Sequence, residues 1–93
     1  MTDVQQTLDA RGEQYGSYDL MADTAQKLKY TMRDTPGWES APPQVRESLD
    51  MIATKIARIL TGNPEHGDSW HDIQGYAKLV WDRIPAVPTS ATA

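Results

Sequence analysis

The sequence predicts a small all-α protein, and three observations carry that expectation. Apolar residues recur three or four positions apart along most of the chain, no run alternates as a strand does, and the Gly/Pro clusters fall between the periodic stretches. The expected architecture is a four-helix bundle with an antiparallel C-terminal helical hairpin over residues 1–84, followed by a disordered tail over 85–93.

The first predicted helix runs from Asp3 to Arg11, with Val4 and Leu8 one turn apart and Gly12 placed to end it. A turn bracketed by Gly12 and Gly16 follows. Ser17 suits the N-cap of a second helix reaching Arg33, whose stripe is Met21, Ala25, Leu28 and Met32. Pro36-Gly37 and Pro42-Pro43 mark 34–43 as a loop. Pro43 opens the third helix, which carries Val45, Leu49, Ile52, Ile56 and Ile59/Leu60 on one face and stops at Gly62-Asn63-Pro64. The link through Gly67 is short enough to send the fourth helix back against the third. Asp68 or Ser69 caps this last helix, Trp70, Ile73, Ala77, Val80 and Ile84 form its expected buried stripe, and Pro85 ends it.

Ninety-three residues are enough for one domain with a modest core, and the chain has no Phe to fill it. Met51, Trp38, Trp81 and Tyr30 fall off the best stripes, which assigns them either to a subunit interface or to cover by loops. A homo-oligomer is the expected assembly. The net charge of −4 and the lack of a basic stripe argue against general nucleic-acid binding while leaving room for a local basic pocket. The absence of cysteine excludes a disulfide framework and a thiolate zinc site. No apolar run is long enough to span a bilayer, and the N-terminus lacks the features of a signal peptide. These readings lead to the expectation of a soluble, cytoplasmic protein with no membrane partner.

The residues that carry chemistry gather in three places. Lys55-x-x-Arg58 lies at the edge of the third helix's apolar stripe, and Asp68-x-x-x-Asp72 shares one face of the fourth helix's first turns. Across a hairpin these sets meet, either as a polar site or as a salt-bridged seam in which Asp68 caps the helix and Asp72 offsets its dipole. Gly75 costs a helix interior roughly 1 kcal/mol, which points to close approach of a helix or a ligand there. Tyr76 beside it is either a core residue with a bonded hydroxyl or a ring that stacks on a base. Arg11-Gly12-x-x-Tyr15-Gly16 supplies a guanidinium, a ring and backbone N–H groups, the parts that hold a phosphate and a base, or it is simply a helix end with a tight turn. It is not a phosphate loop, because no strand precedes it and no Lys-Ser/Thr ends it. His66 and His71 are spaced off a single face, so they do not form a zinc pair. Asp68, His71 and Asp72 remain candidates for a Mg²⁺ held together with a phosphate.

Taken together, the Arg11-Gly12-x-x-Tyr15-Gly16 turn, Lys55-Ile56-Ala57-Arg58-Ile59 and Asp68-Ser69-Trp70-x-Asp72-Ile73-x-Gly75-Tyr76-Ala77 resemble a family of small bacteriophage and prophage helical proteins of unknown function. The likeness covers about Arg11 to Arg83. More distantly, the arrangement is similar to MazG-like all-α nucleotide pyrophosphohydrolases, whose paired acids on two helices hold Mg²⁺ at a triphosphate. Asp68 and Asp72 stand for the second pair at a spacing of four. The third helix offers only Glu47 and Asp50, with Lys55 and Arg58 in its later turns. A two-metal site needs a dense carboxylate cluster, so the likeness implies nucleotide binding more than hydrolysis.

The expected function is therefore a non-enzymatic phage protein that binds a nucleotide or nucleotide-derived ligand, sequestering an immune signal of the infected bacterium as an anti-defence sponge. Arg11, Lys55 and Arg58 would meet phosphates, Tyr15 and Tyr76 would flank a base or ribose, and Asp68 and Asp72 would accept hydrogen bonds or orient the cations. No cofactor is expected. Two alternatives stand beside it: a Mg²⁺-dependent nucleoside triphosphate pyrophosphohydrolase with Asp68 and Asp72 as ligands, and an inhibitor that binds a host protein through its acidic surface and exposed Trp residues.

Overall fold

The computed structural model describes residues 3–85, with Gln14 and Tyr15 described in their backbone only. Among these residues the chain is all-helical, with five helices where four were expected: α1 Val4–Tyr15, α2 Tyr18–Arg33, α3 Pro36–Ser40, α4 Pro43–Thr61 and α5 Gly67–Trp81. The expected tail lies outside the described residues apart from Pro85.

The Asp3 carboxylate accepts the Gln5 N–H at 3.3 Å and so caps α1. The helix does not stop at Gly12. It runs on to Gly16, whose N–H donates to the Gly12 carbonyl at 2.9 Å. Gly16 is the residue at positive φ (74°, ψ −153°), a conformation open essentially to glycine alone. Gly12 tolerates the helix interior, and the break falls where the backbone must turn. Ser17 then caps α2 as expected, its hydroxyl accepting the Leu20 N–H at 3.4 Å.

The segment read as a loop contains a one-turn helix, α3, opened by Pro36 at its first position. Arg46 of α4 ties it down, donating from Nε to the Trp38 carbonyl at 2.9 Å and from Nη2 to the Glu39 carbonyl at 2.7 Å. The Arg33 and Arg46 guanidinium carbons lie 5.3 and 5.8 Å from the Trp38 ring centre, so the ring is held by two cations. Trp38 is thus half-buried beneath its own loop.

Helix α4 is central, with α2 and α5 packed against it. At one end Arg33 of α2 meets Asp50 at 3.2 Å, and at the other the Gly16 turn lies against Thr61 and Gly62. Lys55 meets Asp72 of α5 at 2.9 Å. The first turn of α4 and the last turns of α5 share a cavity lined by Gln44, Glu47, Tyr76 and Leu79. Helix α1 is attached only lightly, to α2 and α4.

The buried positions of α4 and α5 are mostly small side chains, which corrects the expected stripes in part: Ile59 is buried as expected, and Val45 and Ile52 are half-buried. On α4 the buried residues are Ser48, Ala53, Ala57 and Ile59, and Ala57 has no exposed surface at all. Leu49, Ile56 and Leu60 are exposed. On α5 the buried residue is Ser69, Ile73 and Val80 are half-buried, and Trp70, Ala77 and Ile84 are exposed. Met21, Ala25 and Ala57 form the core cluster, with Leu28 packed against it. Alanine and serine let helix axes approach closely, and larger residues at the same register would hold them apart. Neither Asp68 nor Ser69 caps α5. His66 occupies the N-cap position without a capping bond from its side chain to the helix, and the preceding turn is fixed by Asn63 Oδ1 accepting the Glu65 N–H and by Trp70 Nε1 donating to the Pro64 carbonyl at 2.8 Å.

Candidate functional site

Two of the expected ligand-binding residues share one cavity. Arg11 from the third turn of α1 and Arg58 from the last turns of α4 both line a space of about 270 Å³ whose wall is mainly apolar. Leu8, Gly12, Gly16, Ser17, Tyr18 and Met21 complete it. The local chain explains the convergence. The glycine turn folds α1 back beside the start of α2, and a side chain at Gly16 would collide with the Thr61 carbonyl oxygen. The turn therefore sits directly on the C-terminal end of α4, one turn beyond Arg58. Met21 forms the floor, Leu8 and Tyr18 supply apolar walls, and two guanidinium groups supply charge.

Tyr18 is the aromatic residue of this cavity, and the sequence reading missed it. The signal was available: a ring one position after an N-capping serine, next to the glycine turn already singled out. The side chain of Tyr15, the ring expected here, lies outside the described atoms.

Lys55 does not join the two arginines. It is nearly buried between α4 and α5, its Nζ 2.9 Å from Asp72 Oδ2. The hydrogen bond from Lys55 holds the Asp72 carboxyl below its ordinary value of 3.8, against the opposing effect of burial and with a smaller contribution from His71. His71 Nδ1 is 3.6 Å from Asp72 Oδ1. Lys55 and Asp72 therefore form the salt-bridged seam that was one of the two readings of these positions.

Asp68 stands apart, exposed and 3.4 Å from His66 Nε2. Asp68, His71 and Asp72 do not converge, and among the described residues no group of three or more His, Asp or Glu side chains is placed to hold a metal ion. Tyr76 belongs to a second, shallower hollow of about 410 Å³ with His71, Asp72, Gly75 and Leu79. A Cβ built on Gly75 meets nothing within 4 Å, so no helix presses on that glycine. Its cost is not offset by close packing within this chain.

Six of the seven expected residues thus divide among three places: Arg11 and Arg58 in one cavity, Lys55 and Asp72 in the seam with Tyr76 beside it, and Asp68 at the surface with His66. Tyr15 has no described side chain. Among the described residues no helix is long and apolar enough to cross a membrane. No protein-family model, no curated protein and no solved structure matches the chain.

Proposed function

We propose that this chain binds a small nucleotide-derived anion in the cavity between α1, α2 and α4. The observation that carries the reading is the pair Arg11 and Arg58, contributed by two different helices to one largely apolar cavity. Guanidinium groups present paired donors that match phosphate oxygens. Tyr18, Leu8 and Met21 offer a base or ribose the apolar contact that fixes its orientation. A volume of about 270 Å³ lies at the small end of ligand sites and suits one nucleotide unit better than a long chain.

The likeness of the Arg11–Arg83 region to small phage proteins adds the biological setting: sequestration of a host immune signal in the infected bacterial cytoplasm, by a protein with no catalytic step. We read α4 and α5 as an antiparallel hairpin that fixes Arg58 relative to the Lys55–Asp72 seam, with the whole acting as a homo-oligomer. The pyrophosphohydrolase alternative needs clustered carboxylates, and Asp68 and Asp72 each face a histidine instead. The host-inhibitor alternative draws on the exposed Trp70 and Trp81.

The test is to incubate the protein with a panel of mono-, di- and cyclic nucleotides and ADP-ribose derivatives, with Mg²⁺, and to analyse heat-released ligand by mass spectrometry. Intact ligand recovered from the protein supports sequestration, and Arg58→Ala lowers its retention at least 10-fold. A monophosphate product supports hydrolysis instead. Ligand retained equally by Arg11→Ala and Arg58→Ala overturns the assignment of this cavity.

A further inference from the structure

A set of exposed apolar residues lies opposite the cavity-lining positions of α2, α4 and α5. Tyr18, Arg58, Asp72 and Leu79 all line cavities. A step of two residues turns a helix by about 200°, so the residues two positions away lie on the reverse side. Those residues are Leu20, Ile56 and Leu60, Trp70, and Trp81, and Ile84 lies just past the C-terminal end of α5. All six are exposed: Leu20 54%, Ile56 37%, Leu60 68%, Trp70 51%, Trp81 56% and Ile84 47%. The alternation holds on α4 and α5, with Leu20 of α2 beside them, so these exposed apolar residues gather on one side and are not scattered.

We infer that this face is the seat of a second copy of the chain, in a two-fold dimer that leaves both nucleotide cavities facing outward. Two quantities select that occupant. The first is area. The six residues expose the equivalent of about three whole large side chains, or about 600 Å² at roughly 200 Å² each. A standard interface takes about 800 Å² per partner, and about 65% of a homodimer interface is apolar, so about 520 Å² of apolar surface is required.

The second is charge. The other positions that share this flank on α4 and α5, Leu49 and Ala77, are also uncharged. A two-fold interface sets a patch against its own image. A charged patch would repel itself, and an uncharged apolar one does not. On α2 Lys27 shares the flank of Leu20 two turns on and is neutralised within the chain by Asp23 at 2.9 Å, and on α5 Lys78 pairs with Asp82 at the same distance. Residues 86–93 offer only Val87 as a larger apolar side chain and cannot cover this area.

The inference is independent of the ligand reading, because no residue of the face lines the Arg11–Arg58 cavity. Its test is sedimentation equilibrium of the full chain at about 50 μM, with circular dichroism to verify folding. The expected mass is twice 10.4 kDa. The double variant Leu60→Glu/Trp81→Glu sediments at 10.4 kDa with unchanged helicity, its dimer dissociation constant raised at least 100-fold. A wild-type monomer at that concentration overturns the proposal, as does a dimer that survives the double variant. Should that variant fail to fold, the wild type decides alone. Dilution from 50 μM to 50 nM red-shifts its tryptophan emission if Trp70 and Trp81 become exposed, and unshifted emission overturns the proposal.

Discussion

Replacing Gly16 by alanine tests the joint that brings Arg11 to Arg58. The residue sits at φ 74°, ψ −153°, and holding a non-glycine residue there costs about 1–3 kcal/mol. The added methyl would also be driven into the Thr61 carbonyl, with the carbonyl carbon 3.2 Å away. Both obstacles are backbone, which cannot swing aside as a flexible side chain can. Relieving them moves α1 off the end of α4, so the combined cost is about 2–4 kcal/mol from strain and overpacking. A domain of this size loses about 1 kcal/mol of stability per molar urea, so the urea midpoint should fall by about 2 M or more. If the chain instead relieves the strain by letting α1 go, far-UV helicity falls while the midpoint moves less. The control is Gly75→Ala. No atom obstructs its methyl group, and the better helix former should stabilise the protein by about 0.5–1 kcal/mol. The reasoning fails if Gly16→Ala matches the wild type in both midpoint and helicity, or if the two glycine variants behave alike.

Two further outcomes follow from pairs already described. The Asp72 carboxyl titrates below its ordinary 3.8 because Lys55 bonds to it. Its contribution to stability is therefore fully present above about pH 4 and disappears as pH falls through the lowered folded value. Urea midpoints measured between about pH 5 and pH 2 should fall with acid in the wild type and fall less steeply in Asp72→Asn; parallel curves would refute the pairing. Arg46→Ala removes two hydrogen bonds from a charged donor to α3 carbonyls and should cost about 1–3 kcal/mol. Trp38 fluorescence should shift because the ring also loses one of its two cations. An unchanged midpoint would show that α3 is held otherwise.

The helices were legible where local signals act alone. Ser17 capping α2, Pro43 opening α4 and Gly62 closing it are one-residue decisions, and each falls where it was read. Helix α3 was hidden because Pro36-Gly37 is turn chemistry that also suits a single helical turn. The buried faces were misread for a more instructive reason. Periodicity marks where large apolar residues repeat, and on α4 and α5 these are the exposed Leu49, Ile56, Leu60 and Trp70. The contacts between helices run instead through Ala53, Ala57, Ser48 and Ser69, whose small size permits close approach but leaves a faint apolar signal. The sequence singled out Arg11, Arg58, Lys55 and Asp72, which the fold divides between a cavity and a salt-bridged seam. It could not say that Lys55 turns toward α5 and Arg58 toward α1, since one residue of helical phase separates those outcomes.

Leu8, Arg11 and Gly12 all belong to α1, the helix with the thinnest attachment to the remainder. Val4 and Leu8 leave most of their surface in water, so little free energy opposes the local opening of this segment. One wall of the cavity is therefore a low-stability foldon, while the floor built from Met21 and the end of α4 belongs to the part that opens last. On the proposed ligand reading, affinity is reduced by the fraction of molecules in which α1 is detached, and an occupant that bridges Arg11 to Arg58 reverses that loss. Ligand capture and the ordering of twelve N-terminal residues are then one thermodynamic event. On that reading, residues of α1 that do not line the cavity, such as Val4, are where substitution tunes residence time without altering a contact to the ligand.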